Sequence, residues 1–85
     1  MYEVEIKKSC LKFISKLDFK RKSELKKFLK DFKEDYRKFP YKKLVNKDNQ
    51  YRIRFQEFRI SYYKDKEKLV ITIIKIGFRE NFYNK

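Results

Sequence analysis

The sequence predicts an α+β fold with the element order β-α-α-β-β-β, in which a small, largely antiparallel sheet packs against an N-terminal helical hairpin. Two patterns predict it. Apolar residues in the first half recur at helical spacing, and from residue 51 onward they alternate with a period of two. The length predicts a single domain over residues 1–85, and nine Phe and seven Tyr supply apolar area for its core.

The first half is predicted to hold one strand and two helices. Apolar and charged residues alternate over residues 2–6, as in a half-buried strand. Ser9 is then expected to cap a short helix that closes at Asp18. A longer helix starts near Phe19, and Pro40 ends it. Its apolar side consists of Leu25, Phe28, Leu29, Phe32, Tyr36 and Phe39.

The second half is predicted to hold three strands. A polar connector over Lys42 to Gln50 leads into strands at residues 51–55 and 58–63, each with one apolar and one polar face. A charged turn over Lys64 to Lys68 follows. The last strand, Leu69 to Ile76, has apolar residues on both faces, as expected of a central strand, and Gly77 ends it.

The polar face of these strands carries several arginines. If Gln56-Glu57 is a two-residue turn, Arg54 lies opposite Arg59. Gln-Glu is not a favoured hairpin turn, so a bulge there would change this register. Guanidinium groups on a sheet suit a phosphate site because each presents a planar fork that stays protonated. An ordinary solvated strand face, or a docking site for an acidic partner, would show the same pattern.

The net charge of +13 is the strongest compositional signal. It indicates a polyanionic partner, whether nucleic acid, an acidic protein or an anionic membrane. A composition that uses Lys as a general surface residue would also produce this charge, and twelve acidic residues are spread among the basic ones. Charge alone therefore does not identify the partner.

Composition also excludes several kinds of chemistry. The chain has no His and only one cysteine, which excludes an internal disulfide, a Cys–His nucleophile and a site of paired imidazoles. Cys10 falls in the apolar pattern of the first helix and is expected in the core. The single glycine excludes a Gly-rich nucleotide loop. No secretory signal or membrane-spanning apolar run is visible, so the chain is expected to be soluble and cytoplasmic.

Four short motifs, in this order and spacing, resemble the RelE/ParE toxin superfamily and its RelE-like mRNA interferase branch. They are KKL at residues 42–44, YRIRF at 51–55, FRISY at 58–62 and LVITIIKIGFRENFY at 69–83. The opening strand followed by KSCLKFISKLD at residues 8–18 is similar to that family's N-terminus. The resemblance covers nearly the whole chain and implies the RelE-like microbial RNase fold.

The resemblance implies the toxin of a type II toxin–antitoxin pair. RelE-like members cut messenger RNA in the ribosomal A site, with neither metal ion nor cofactor, when the ribose 2′-hydroxyl attacks the adjacent phosphate. The expected partners are a cognate acidic antitoxin protein, the ribosome and its messenger RNA, and no membrane. Two alternatives stay open: a ParE-like toxin that inhibits gyrase without cutting RNA, and an inactive relative that only binds its antitoxin.

The resemblance also implies a site, when the family's site residues are matched one by one to this sequence. Its catalytic residues are Arg54, Arg59, Arg79 and Tyr83. Contacts to RNA are expected from Arg52, Ser61 and Phe82. Some relatives have Lys on the second strand, and many have His where this chain has Phe78, so the resemblance leaves the general base unassigned. The candidates are Tyr83, Glu80 and Glu57.

Overall fold

A computed structural model describes residues 2–39 and 49–79 of the chain and the backbone of residues 42–43. The described residues form two α-helices, a short 3-10 turn and five strands. In chain order these are β1 (Glu3–Ile6), α1 (Lys8–Ser15), α2 (Phe19–Glu34), the 3-10 turn (Tyr36–Lys38), β2 (Lys42–Lys43), β3 (Gln50–Phe55), β4 (Phe58–Asp65) and β5 (Val70–Phe78). Among them, no helix is long and apolar enough to cross a membrane.

The strands form one mixed sheet in the order β1-β5-β4-β3-β2. Strand β1 runs parallel to β5, and the other neighbouring pairs are antiparallel. The predicted α+β fold is confirmed, with one addition. Residues Lys42–Lys43, expected in a connector, pair with β3 as a fifth strand at the sheet edge, and Gln50 already belongs to β3. Two residues are too few to show an alternating pattern in the sequence.

The helices and the sheet share one hydrophobic core. Its buried members are Cys10, Ile14, Leu25, Phe28, Leu29, Phe32, Tyr51, Ile53, Phe58, Ile60, Tyr62, Ile71, Ile73 and Ile76. Cys10 lies in this core, as predicted, and its thiol donates a hydrogen bond of 3.7 Å to the carbonyl of Ile73. Burial raises the pKa of the thiol, which suits a packing role rather than a reactive one.

Helix α1 begins earlier than the sequence predicts. The amide of Lys7 donates to the carbonyl of Ile73 at 3.1 Å, so pairing with the sheet continues up to the helix. The carbonyl of Lys7 then accepts the amide of Cys10 at 3.0 Å and closes the first turn. Helix α1 therefore starts at Lys8, and Ser9 lies inside its first turn. The prediction that Ser9 caps the helix was wrong.

Helix α2 ends earlier than its apolar pattern predicts. It stops at Glu34, and Asp35 has an extended backbone with φ of −159°. The Asp35 carboxylate accepts hydrogen bonds of 3.0 Å from both the amide and the Nε of Arg37. These bonds lower the pKa of Asp35 and begin a 3-10 turn in place of another helical turn. Phe39 still contacts the ring of Phe28, but it does so from beyond the helix, so the predicted helix end at the following proline was wrong.

A bulge in β5 sorts its side chains between the two faces of the sheet. Ser61 pairs with Lys75 and Tyr62 pairs with Ile73, so β5 holds one extra residue, Ile74, at this point. In a regular strand Ile73 and Lys75 would share a face, because side chains alternate with a period of two. The bulge separates them. Ile73 enters the core, where it is fully buried, and Lys75 lies on the opposite face.

Two phenylalanines provide a test of the core. Phe32 is fully buried and contacts the ring of Tyr62, whereas Phe19 is 84% exposed. We expect Phe32→Ala to lower the free energy of unfolding by about 3–5 kcal/mol, since it leaves a cavity. Phe19→Ala should change it by less than about 0.5 kcal/mol. Urea unfolding followed by circular dichroism measures both, and equal losses for the two variants would contradict this account of the core.

Candidate functional site

The sheet has two unlike faces. In the described part of the chain, the helices cover one face of the sheet. The apolar side chains on that face pack against the helices. We call the opposite side of β3, β4 and β5 the open face. Following the register of the strands, its side chains are Gln50, Arg52, Arg54, Arg59, Ser61, Tyr63, Asp65, Val70, Thr72, Lys75 and Gly77. Four of these positions are basic, and they lie on three neighbouring strands.

The register of the β3–β4 hairpin places the arginines as predicted. Arg54 lies opposite Arg59, and Arg52 lies opposite Ser61. The connection is a two-residue turn without a bulge, because Gln56 adopts a positive φ of 54°. A positive φ at this position gives the backbone a twist that matches the twist of the flanking strands. The Cβ atoms of directly opposed residues lie about 5 Å apart, so the side chains of Arg54 and Arg59 can reach the same small volume above the sheet.

Arg59 occupies the most enclosed position on the open face. It is only 5% exposed, whereas Arg54 opposite it is exposed. On its other side Arg59 pairs with Gly77, where the absence of a Cβ leaves room for the long side chain. The prediction that Gly77 ends the last strand was wrong. Strand β5 continues to Phe78, whose ring stacks on that of Phe58 at 5.3 Å.

Arg79 is attached to the same end of the hairpin. Its amide donates to the carbonyl of Glu57 at 2.8 Å, and its Nη1 donates to the carbonyl of Gln56 at 3.0 Å. Both acceptors belong to the turn that joins the strands of Arg54 and Arg59. The structure therefore brings Arg79 to the turn from which the Arg54–Arg59 pair extends.

Helix α2 holds this turn from the other side. Arg21 donates a hydrogen bond to the Glu57 carboxylate and a second one, of 3.1 Å, to Asp18 at the start of the helix. The guanidinium of Arg21 also lies over the ring of Phe78, 5.8 Å from its centroid. The hydrogen bond to Glu57 raises the pKa of Arg21. Glu57, a candidate general base from the sequence, is thus engaged in anchoring the turn.

Lys75 joins the basic residues of the open face and was missed from the sequence. It pairs with Ser61, on the opposite side of that residue from Arg52. It lies on this face in regular alternation with Gly77, and the β5 bulge is what allows Ile73, two residues earlier, to enter the core instead of sharing this face. A bulge leaves no mark in the alternation of residues. One signal was available, because a lysine inside an otherwise apolar interior strand is expected to turn its charge away from the core.

Three of the residues singled out from the sequence lie outside the described residues, namely Glu80, Phe82 and Tyr83. Ser61, an expected RNA contact, is 9% exposed between Arg52 and Lys75. The described part of the expected site thus consists of Arg52, Arg54, Arg59, Ser61 and Arg79. The first four share the open face, and Arg79 sits at its hairpin end.

Charge is distributed unevenly along the sheet. The basic residues lie toward the β3–β4 turn, whereas the carboxylates of Glu3, Glu5 and Asp65 alternate onto the same side near the other end and the β1 edge. Guanidinium forks grouped in this way bind a phosphodiester and stabilise additional negative charge on it. The carboxylates at the far end repel phosphate. The open face therefore favours phosphate at its hairpin end.

Comparisons with known proteins agree with this architecture. No known family profile matches the chain, and no curated protein matches its sequence. The structure is similar to that of RelE in the archaeal RelE–RelB complex from Pyrococcus horikoshii, with a TM-score of 0.73, 25% identity, and 92% of this chain and 94% of that chain covered. It is also similar to the isolated E. coli RelE toxin, with a TM-score of 0.69, 27% identity, and coverage of 92% and 84%.

A third solved structure extends the likeness in fold. The RelB–RelE antitoxin–toxin complex from Methanococcus jannaschii matches with a TM-score of 0.73 at 18% identity, over 94% of this chain and 95% of that chain. These similarities span most of the length of both chains in each comparison. They confirm that the strand and helix order described above is a known one.

Salt dependence tests the open face directly. We expect Arg59→Ala to weaken binding of single-stranded RNA, and to reduce the slope of log binding constant against log salt by about 0.7, the value for one lost phosphate contact. Arg37→Ala is the matched control, because Arg37 lies in the 3-10 turn and pairs with Asp35. Fluorescence anisotropy at several salt concentrations measures the slope. If the slope changed equally in both variants, Arg59 would not be a specific contact to the RNA.

Proposed function

We propose that this chain, which has the RelE toxin fold, is the toxin of a toxin–antitoxin pair and cleaves messenger RNA bound to the ribosome. The fold is supported by the likeness to RelE structures, several of which are complexes with RelB antitoxins. The observation that carries the proposed chemistry is the convergence of Arg54, Arg59 and Arg79 at one end of the open face.

The three arginines would hold the scissile phosphodiester. Arg59 is enclosed within the sheet and gives a rigid contact, while the exposed Arg54 reaches the phosphate from the neighbouring strand. Arg79 approaches from the turn, to which its backbone and side chain are both bonded. Forked donors fixed in this way bind the two non-bridging oxygens of a phosphate from more than one side.

The proposed reaction is attack of the ribose 2′-oxygen on the adjacent phosphorus. The bond between the 2′-oxygen and phosphorus forms, the bond from phosphorus to the 5′-oxygen breaks, and a cyclic phosphate and a 5′-hydroxyl result. The 2′-hydroxyl loses its proton and the leaving 5′-oxygen gains one. Negative charge on the non-bridging oxygens rises in the transition state, where guanidinium groups stabilise it more strongly than in the substrate.

In this proposal the arginines do not transfer the protons. A guanidinium keeps its protons at neutral pH and cannot serve as a base, and the Glu57 carboxylate is already bonded to Arg21. In our proposal the open face binds and stabilises charge. Tyr83 orients the substrate, and Phe82 stacks on an RNA base. The base that accepts the 2′-proton comes from the residues after Arg79 or from the ribosome, which also distorts the messenger RNA into a reactive geometry.

Charge complementarity supports both proposed partners. A net charge of +13 attracts the chain to ribosomal and messenger RNA through long-range electrostatics. The same charge favours an acidic antitoxin, which would neutralise the toxin by binding it. Arg52 and Lys75 flank Ser61 and extend the basic surface beyond the scissile phosphate, so they would contact the RNA backbone on either side of that residue.

Induced expression with primer extension on cellular messenger RNA tests the proposal. We expect the wild-type chain to arrest translation and to cut messages within codons. Loss of one charge-stabilising donor costs about 10²–10³-fold in rate, so Arg59→Ala or Arg79→Ala should relieve the arrest and the double variant should abolish cleavage. Arg37→Ala, outside the open face, should remain toxic.

The other outcomes separate the competing functions. Growth arrest with a DNA-damage response and intact messages would indicate a gyrase inhibitor instead. An absence of arrest from a well-expressed, folded wild-type chain would indicate an inactive relative. Full cleavage by the double arginine variant would leave the toxin assignment standing but would overturn the site.

A further inference from the structure

We propose that Tyr63, flanked by Gln50 and Thr72, forms a second subsite on the open face, which stacks one unpaired base of a single-stranded RNA. The inference rests on the proposed function for its biological setting. Its evidence is separate, because it comes from the aromatic and neutral part of the face rather than from the arginines. The subsite would bind a nucleotide beside the scissile phosphate, not the phosphate itself.

Tyr63 differs from the other tyrosines that the structure describes. Those four lie in aromatic contacts on the helix-covered side: Tyr2 with Tyr36 at 5.4 Å, and Tyr51 stacked on Tyr62 at 5.4 Å. Tyr63 instead lies on the open face and is 36% exposed. It sits in β4, an interior strand of the sheet, so its backbone is held on both sides while its ring faces outward.

The neighbours of Tyr63 suit the edge of a base. In the strand register Gln50 of β3 lies on one side and Thr72 of β5 on the other. An amide and a hydroxyl both donate and accept hydrogen bonds, so either can contact the edge of a base whose face rests on the ring. Aromatic side chains on a sheet surface stack unpaired RNA bases in this manner, and the stacking tolerates any base.

The spacing places this subsite next to the phosphate site. Along β4, Tyr63 lies two residues beyond Ser61 and four beyond Arg59, which is about 13 Å from Arg59 at the rise of an extended strand. Lys75 lies between the two sites, opposite Ser61, where it can hold the intervening backbone phosphate. Carboxylates lie beyond Tyr63, with Asp65 on the same strand and Glu5 at the sheet edge, so this part of the face suits an uncharged base better than a phosphate.

Binding of a short RNA that carries a fluorescent base analogue tests the subsite, with the full 85-residue chain. Stacking quenches such an analogue. We expect Tyr63→Ala and Tyr63→Leu to weaken binding roughly 5- to 100-fold and to reduce the quench, because each removes the aromatic face. Tyr63→Phe should retain both. The salt slope should stay unchanged in all three, whereas it falls when an arginine is lost. Phe19→Ala removes an aromatic ring that is 84% exposed elsewhere and should behave as wild type.

The same variants, assayed for cleavage of ribosome-bound messenger RNA, keep the two proposals apart. If Tyr63→Ala binds RNA with an unchanged affinity and quench while the wild type cleaves, the subsite is overturned and the proposed function stands. If Tyr63→Phe loses as much as Tyr63→Ala, stacking is overturned. If the wild type binds RNA through Tyr63 but does not cleave on the ribosome, the subsite stands and the proposed function falls. A wild type that neither binds nor cleaves overturns both.

Discussion

The two-residue turn between β3 and β4 decides which side chains meet the helices and which face away from them. Side chains in a strand alternate, so a slip of one residue would turn Arg54 toward the core and an apolar residue toward solvent. The positive φ of Gln56 sets the turn, and Phe55 opposite Phe58 continues the core up to it. Arg54 and Arg59, which we propose bind phosphate, lie immediately beyond these phenylalanines. Packing on one face of the hairpin therefore fixes where these arginines stand on the other face.

Bonds to the turn extend this coupling into the rest of the molecule. Arg21 ties the Glu57 carboxylate to α2, and Arg79 binds the backbone of the same turn from the end of β5. An ion pair at the surface contributes little to global stability. The Arg21–Glu57 pair instead fixes position, because it connects the helical layer to the turn that Arg79 binds and from which the Arg54–Arg59 pair extends. The helices therefore support the open face in two ways. They bury the opposite face of the sheet, and α2 holds the β3–β4 turn through Arg21.

Much of this arrangement could be predicted from local patterns. Alternation from residue 51 onward predicts both the two faces of the hairpin and the Arg54–Arg59 pair. The features that the sequence did not predict have two origins. Some depend on contacts between distant parts of the chain, and others on local hydrogen bonds that compete with those of a helix. The β5 bulge, which places Lys75 and Ile73 on opposite faces of the sheet, exists only in the pairing with β4. The early end of α2 follows from the bonds that Asp35 makes to Arg37, and the start of α1 follows from pairing of β1 with the sheet. The expected roles of Phe82 and Tyr83 fall outside the described residues and stay predictions.

Substitution of a single 2′-hydroxyl tests the central claim most directly. Ribosomes programmed with a message are incubated with the protein, and the same message is prepared with a 2′-deoxy sugar on the nucleotide preceding the cut. A face that stabilises attack by the 2′-oxygen should cut the ribose message to leave a 2′,3′-cyclic phosphate and a 5′-hydroxyl, and should leave the 2′-deoxy message whole. Cleavage of the 2′-deoxy message at the same position, or products with a 5′-phosphate, would contradict it.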